Sequence, residues 1–346
     1  MRALAILMVL VHHVAAEVHG TPEWAESLIQ QGAHGVDLFF ALSGFLIGNL
    51  FFREWDRDGS VDIGHFYARR LTRTLPPYYI MLAVSYLAVW LVRGEPFDWG
   101  YLIFAQNYYT EIPFFPVSWS LAVEEHFYLV LPVALTVLMR FTDRDAHRMA
   151  LMLAVGLLPL GFRLADPMVD TPFGYAYTAT HRNFDFMTFG VVGAYMYNRM
   201  PSLINQQKRG LYAASGITMV LLGTMPWWPK TLEMSVGDFG LAIGFALMVI
   251  LSVQAPNIPG AKHRLTKMIA YTSYATYLTH PAVIYVLAKV QYRIEMPQIV
   301  FFTITMVASL VVGWIFYRIV EQPLMQWRDQ VTSRGGDRDK LASASS

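Results

Sequence analysis

The chain has 346 residues, 55% of them apolar and 15% charged, with a formal net charge of +1. Soluble domains carry roughly 25% charge, so an ordinary soluble enzyme is excluded, and the near-neutral balance leaves no footprint for nucleic acid. Cysteine is absent, which removes disulfides, thiolate metal sites and a cysteine nucleophile.

A hydrocarbon core about 30 Å thick takes roughly 20 mostly apolar residues per helical span. Ten segments answer to that, near residues 3–18, 34–52, 76–93, 117–139, 149–165, 183–198, 210–227, 237–255, 268–289 and 298–320. The first is not followed by a small-residue cleavage site and reads as a retained helix. The expected fold is an all-α polytopic protein of the cell membrane, a bundle of about ten transmembrane helices within one domain, 1–330. A polar tail at 331–346 is expected to be disordered. No internal repeat is visible. With a cytoplasmic N-terminus, 20 of the 26 Lys and Arg residues fall on the inner side, and the positive-inside rule then puts both termini in the cytoplasm.

Polar groups inside spans are costly and mark function by default. In the first span Arg2 and His13 are eleven residues apart, within about 20° of three full helical turns and about 16 Å along the axis. They share a face, with His13 deep in the membrane, while His12 points elsewhere. Glu17, four residues after His13, is placed to orient the imidazole. The second span, GVDLFFALSGFLIG, carries Asp37, which reads equally as an interfacial cap or a site residue. Its Gly44 and Gly48, four apart, read as a close-packing face. HFYARRLTRTLPPYY reads as a basic cytoplasmic loop. Its Arg69, Arg70 and Arg73 either anchor topology against anionic lipid or clamp phosphate.

The fourth span opens SWSLAVEEHFYLVLP, with Glu124 and Glu125 about 100° apart on one helix beside Ser120 and His126. Two carboxylates entering a membrane helix need cationic or protonic partners. In HRNFDFMTFG, the three-residue spacing of Arg182 and Asp185 predicts an intrahelical ion pair that also faces a cavity. SYATYLTHP places His280 at helical depth, just before Pro281, as a site-lining candidate.

Seven stretches in order, RALAILMVLVHH, GVDLFFALSGFLI, FYARRLTRTLPPYY, SWSLAVEEHFYLVLP, HRNFDFMTFG, SYATYLTHP and FYRIVEQPL, resemble the acyltransferase-3 family of bacterial membrane acyltransferases. The resemblance covers nearly the whole chain. It implies ten membrane helices and transfer of an acyl group, commonly acetyl from cytoplasmic acetyl-CoA, to a hydroxyl of an extracytoplasmic glycan or related acceptor. The family's arginine and histidine map onto Arg2 and His13, its basic loop onto Arg69, Arg70 and Arg73, and its glutamate pair onto Glu124 and Glu125. The chain departs from the family pattern at three points. It starts at Met1 without the usual acidic stretch, which points to a shortened or misassigned start. His126 stands where glutamine is frequent, and no hydrolase-like domain follows the last helix. The mechanism expected has the arginines holding CoA phosphates and His13 acting as general base or transient acyl carrier. A thioester is already activated, so acyl-CoA serves as co-substrate with no bound metal or redox cofactor. A secondary transporter, the alternative, would show repeated halves with matching broken helices.

Overall fold

The computed structural model describes residues 1–18, 23–109, 111–166, 175–204, 206–225, 228–255 and 258–328. Among these residues all regular structure is helical. The first half holds α1 (Arg2–Ala15), α2 (Glu23–Gln30), α3 (Gly35–Asp58), α4 (Ile63–Arg93), α5 (Ser118–Phe141), α6 (Asp145–Ala165) and α7 (Tyr175–Thr178). There follow α8 (Thr180–Arg199), α9 (Arg209–Gly223), α10 (Lys230–Leu232), α11 (Asp238–Gln254), α12 (Arg264–Tyr271), α13 (Ser273–Ile294) and α14 (Gln298–Phe316). The tail expected at 331–346 lies outside the described residues.

The protein is a multi-pass membrane protein. Among the described residues six helices are long and apolar enough to cross a bilayer: Gln31–Asp58, Ile63–Arg93, Ser118–Phe141, Asp145–Ala165, Lys230–Gln254 and Gln298–Arg328. Helix also lies in the other four expected segments. There α1 and α9 have only 14 and 15 residues, and α8 and α13 are interrupted by polar side chains.

Three boundaries differ from the sequence reading. The basic loop is not a loop. Asp62 caps α4 by accepting from the His65 amide at 2.9 Å, and the helix then runs 31 residues to Arg93, through Pro76 and Pro77. Each proline leaves a carbonyl one turn back without its amide donor, which a membrane helix tolerates where neighbours re-satisfy it. The span expected over 268–289 is broken at Thr272, between α12 and α13. The first helix stops at Ala15, so Glu17 lies in the turn beyond it, exposed.

The chain forms two compact units, residues 1–61 with 97–271, and residues 62–96 with 272 onward. In the first, α3 packs on α8 along a small-residue face, because between helices in lipid it is close van der Waals contact that stabilises. A Cβ on Gly44 would strike the Met187 carbonyl, and one on Gly48 would sit 3.1 Å from the Ala194 methyl. Further along the same pair, Asn198 donates to Asn49 at 2.9 Å and Arg199 pairs with Asp56. A turn of 3-10 helix, Gln31–His34, lies against α1, and a Cβ on Gly32 would come within 2.6 Å of the Met8 carbonyl. A Cβ on Gly35, at the start of α3, would come equally close to the Ala5 carbonyl, so the start of α3 lies against the middle of α1.

In the second unit, α14 packs on α13, where a Cβ on Gly313 would strike the Thr276 hydroxyl. Tyr274 of α13 donates to the Thr74 carbonyl of α4 at 2.7 Å.

Candidate functional site

His12 and His13 share the last turn of α1. The ring of His13 donates through Nδ1 to the Val9 carbonyl at 3.0 Å, and that of His12 through Nδ1 to the Ile29 carbonyl at 3.2 Å. A carbonyl only accepts, so in the neutral rings Nδ1 carries the hydrogen and Nε2 the lone pair. The orienting task expected of Glu17 is therefore met by the carbonyl of Val9, one turn back. The two imidazoles meet edge to face, with centroids 5.1 Å apart.

His12 also lines a partly open polar cavity of about 280 Å3 formed by residues of the first unit. Asp37, at the start of α3, faces the same cavity and accepts from His34 Nδ1 at 2.8 Å. From α5 comes Trp119, and from α8 Arg182 and Asn183. The lining also includes Lys230, Glu233 and Asp238, the last on the first turn of α11. His13 is not among the lining residues.

The ion pair expected between Arg182 and Asp185 does not form. Asp185, fully buried, accepts from Arg163 of α6 at 2.5 Å, and Arg163 also donates to the Arg182 carbonyl at 2.5 Å. Arg182 turns back instead, donating through Nε to the Ala176 carbonyl at 2.8 Å and through Nη1 to the Asp166 carbonyl at 2.7 Å. Helical spacing made Arg182 and Asp185 neighbours, but a cation from a second helix reaches the carboxylate with better geometry. Arg163, Trp119, Lys230, Glu233 and Asp238 were missed by sequence reasoning. The one available signal was Arg163, a cation within the last turn of an apolar span, where it read as a topology marker.

Of the fourth-span residues, Glu124 accepts from the Tyr128 hydroxyl at 2.8 Å, and Tyr128 in turn bonds Ser43 of α3. With the Tyr128 proton directed at the carboxylate, Ser43 donates to the Tyr128 oxygen, so Glu124 tethers α5 to α3. Glu125 follows it, half-buried and outside the polar cavity. Ser120 donates to the Val117 carbonyl at 3.2 Å, a local bond. His126 bonds the Thr180 hydroxyl at 2.7 Å and lines a separate, apolar cavity of about 510 Å3 between α5, α6 and α8.

The remaining candidates belong to the second unit, except Arg2, which opens α1 in the first. Arg69, Arg70 and Arg73 occupy one side of α4, spaced three and four residues apart. Glu321, beyond α14 and 1% exposed, stands 3.8 Å from Arg73, and Arg328 donates to the Arg69 carbonyl at 3.4 Å. His280 is fully buried, with Nδ1 donating to the Tyr277 carbonyl at 2.7 Å. No group of three or more His, Asp and Glu that could hold a metal ion occurs among the described residues.

Relatives of the chain carry related names. A provisionally named O-acetyltransferase of Staphylococcus aureus strain COL is 26% identical, over 93% of this chain and 56% of the relative. The peptidoglycan O-acetyltransferase OatA of Listeria monocytogenes is 24% identical, over 94% of this chain and 54% of its own. The O-acetyltransferase OatA of Staphylococcus aureus strain NCTC 8325 is also 24% identical, over 94% and 56%. The chain thus spans about half the length of the curated relatives it matches. No solved structure matches it. The family model described as an acyltransferase domain matches residues 1–318, nearly all of the described structure, and the chain belongs to that acyltransferase-3 family.

Proposed function

We propose that the protein is a membrane O-acyltransferase that moves an acyl group, acetyl in the simplest case, from cytoplasmic acyl-CoA to a hydroxyl of an extracytoplasmic glycan or glycolipid. The observation that carries this reading is the family match over residues 1–318. The names of the relatives support O-acetylation, with peptidoglycan as one acceptor class. Ten spans with both termini inside are supported by the basic asymmetry of the chain, and residues 1–330 then form one transferase domain.

In this reading α1 joins the two sides. Arg2 lies at its cytoplasmic end, and the histidine pair at its outer end, one ring facing the polar cavity. Arg69, Arg70 and Arg73 hold the donor's phosphates as planar guanidinium forks. The acceptor oxygen attacks the thioester carbonyl while His13 Nε2 takes the hydroxyl proton. A carbon–oxygen bond forms, the carbon–sulfur bond breaks, and the proton passes to the CoA sulfur, which leaves as the thiol. If acylation of His13 comes first, the same bonds are exchanged in two steps. Glu124 acts as a positioning residue through Tyr128.

Purified protein incubated with radiolabelled acetyl-CoA and a glycan acceptor tests the reading. It predicts release of free CoA thiol matched by alkali-labile label on the glycan. Acetyl-CoA left intact in the presence of acceptor overturns it.

A further inference from the structure

The polar cavity of the first unit has hydrogen-bonding capacity that the transfer step leaves unused. Most of its charged groups already have partners: Arg163 has Asp185 at 2.5 Å, Lys230 has Glu233 at 3.8 Å and Asp37 has His34 at 2.8 Å. Two groups do not. Asp238 lines the cavity and makes no hydrogen bond or ion pair among the described residues. Arg182 is only 2% exposed and lines the same cavity, yet its Nη2 has no hydrogen-bond partner among the described residues. A buried donor left unmatched costs about 1–3 kcal/mol, more when charged, so a group held in this state points to a ligand that completes it.

The complement must donate to a carboxylate and accept from a guanidinium. A phosphate satisfies Arg182 but is repelled by Asp238, and an ammonium group satisfies Asp238 but not Arg182. Hydroxyl groups do both. Trp119 adds an aromatic surface suited to the C–H face of a ring. At about 280 Å3 the space falls just below the ~300–1,000 Å3 of drug-sized ligand sites, which fits one ring. We infer that this cavity is a binding site for a single neutral, hydroxyl-rich ring, held by Asp238, Arg182 and Trp119.

Saturation-transfer NMR on the full chain in nanodiscs, with methyl β-D-glucopyranoside as probe and no acyl donor, tests the site directly. The wild-type protein should saturate the glycoside, and sn-glycerol 3-phosphate should not compete. Asp238→Asn, which keeps the shape and removes the charge, should weaken binding about ten- to hundredfold. Trp119→Leu should weaken it independently, and Asp143→Asn, on an exposed carboxylate elsewhere, should leave it unchanged. Absence of wild-type saturation, equal binding in Asp238→Asn and Trp119→Leu, or displacement by glycerol phosphate overturns the inference. Glycoside binding without any consumption of acetyl-CoA would sink the transferase reading and leave the sugar site standing. Acetyl-CoA consumption without glycoside binding would do the reverse.

Discussion

Adjacent histidines at the end of one helix divide the work by direction. His12 faces the cavity and is held by Ile29 from the neighbouring helix, whereas His13 is held by its own helix through Val9. The proposed mechanism makes His13 the base, so His13→Ala should abolish acyl transfer and His12→Ala should weaken it with a raised acceptor KM. Initial rates on the two variants, purified at equal yield, decide; an active His13→Ala beside a dead His12→Ala moves the base one residue. The Arg163–Asp185 pair is structural at the same scale. Arg163→Ala strands a buried carboxylate and should cost about 3–5 kcal/mol, seen as a lowered melting temperature in detergent, with Asp185→Asn in the same background recovering part of it. No spacing in the sequence could have announced this pair, because its members are contributed by different helices. The stripe from Arg2 to His13 was legible because it lies within one helix.

Helix positions were largely legible and helix ends were not. The Gly44 and Gly48 face was readable because a four-residue repeat of small side chains has one geometric use in lipid, and α3 packs on α8 there. The third span was expected from residue 76 after a basic loop, yet α4 already begins at Ile63 and runs through Pro76 and Pro77, and this changes the meaning of the arginine cluster. On a continuous helix Arg69, Arg70 and Arg73 are a rigid comb rather than a loose loop. If the comb grips CoA phosphates, Arg→Gln at each position should raise the donor KM roughly ten- to hundredfold with kcat nearly unchanged, and Arg→Lys should recover only part. Lipid anchoring predicts full rescue by lysine and an unmoved donor KM. Donor titrations separate the two. Arg73→Gln carries a second consequence, since it leaves the buried Glu321 without its 3.8 Å neighbour; its melting temperature should fall further than that of Arg69→Gln.

At the level of the whole molecule, composition alone revealed a membrane protein, and six helices meet the length and hydropathy of a span. The other four expected spans carry the polar groups or the short lengths that hydropathy penalises, with Arg2, His12 and His13 in α1 and Arg182 and Asp185 in α8. Sidedness is testable with cysteines at exposed positions: Ser60→Cys and Glu111→Cys should label from opposite faces, Ser60→Cys from the cytoplasm. Labelling of both from one face contradicts a model of ten spans with termini inside. The central claim, transfer across the membrane by the histidine of α1, is tested most directly in oriented proteoliposomes. Radiolabelled acetyl-CoA is supplied only on the cytoplasmic side and a glycan acceptor only on the other. The account predicts alkali-labile acetyl ester on the outer glycan from wild-type protein and none from His13→Ala; equal label from both proteins, or none from either, would contradict it.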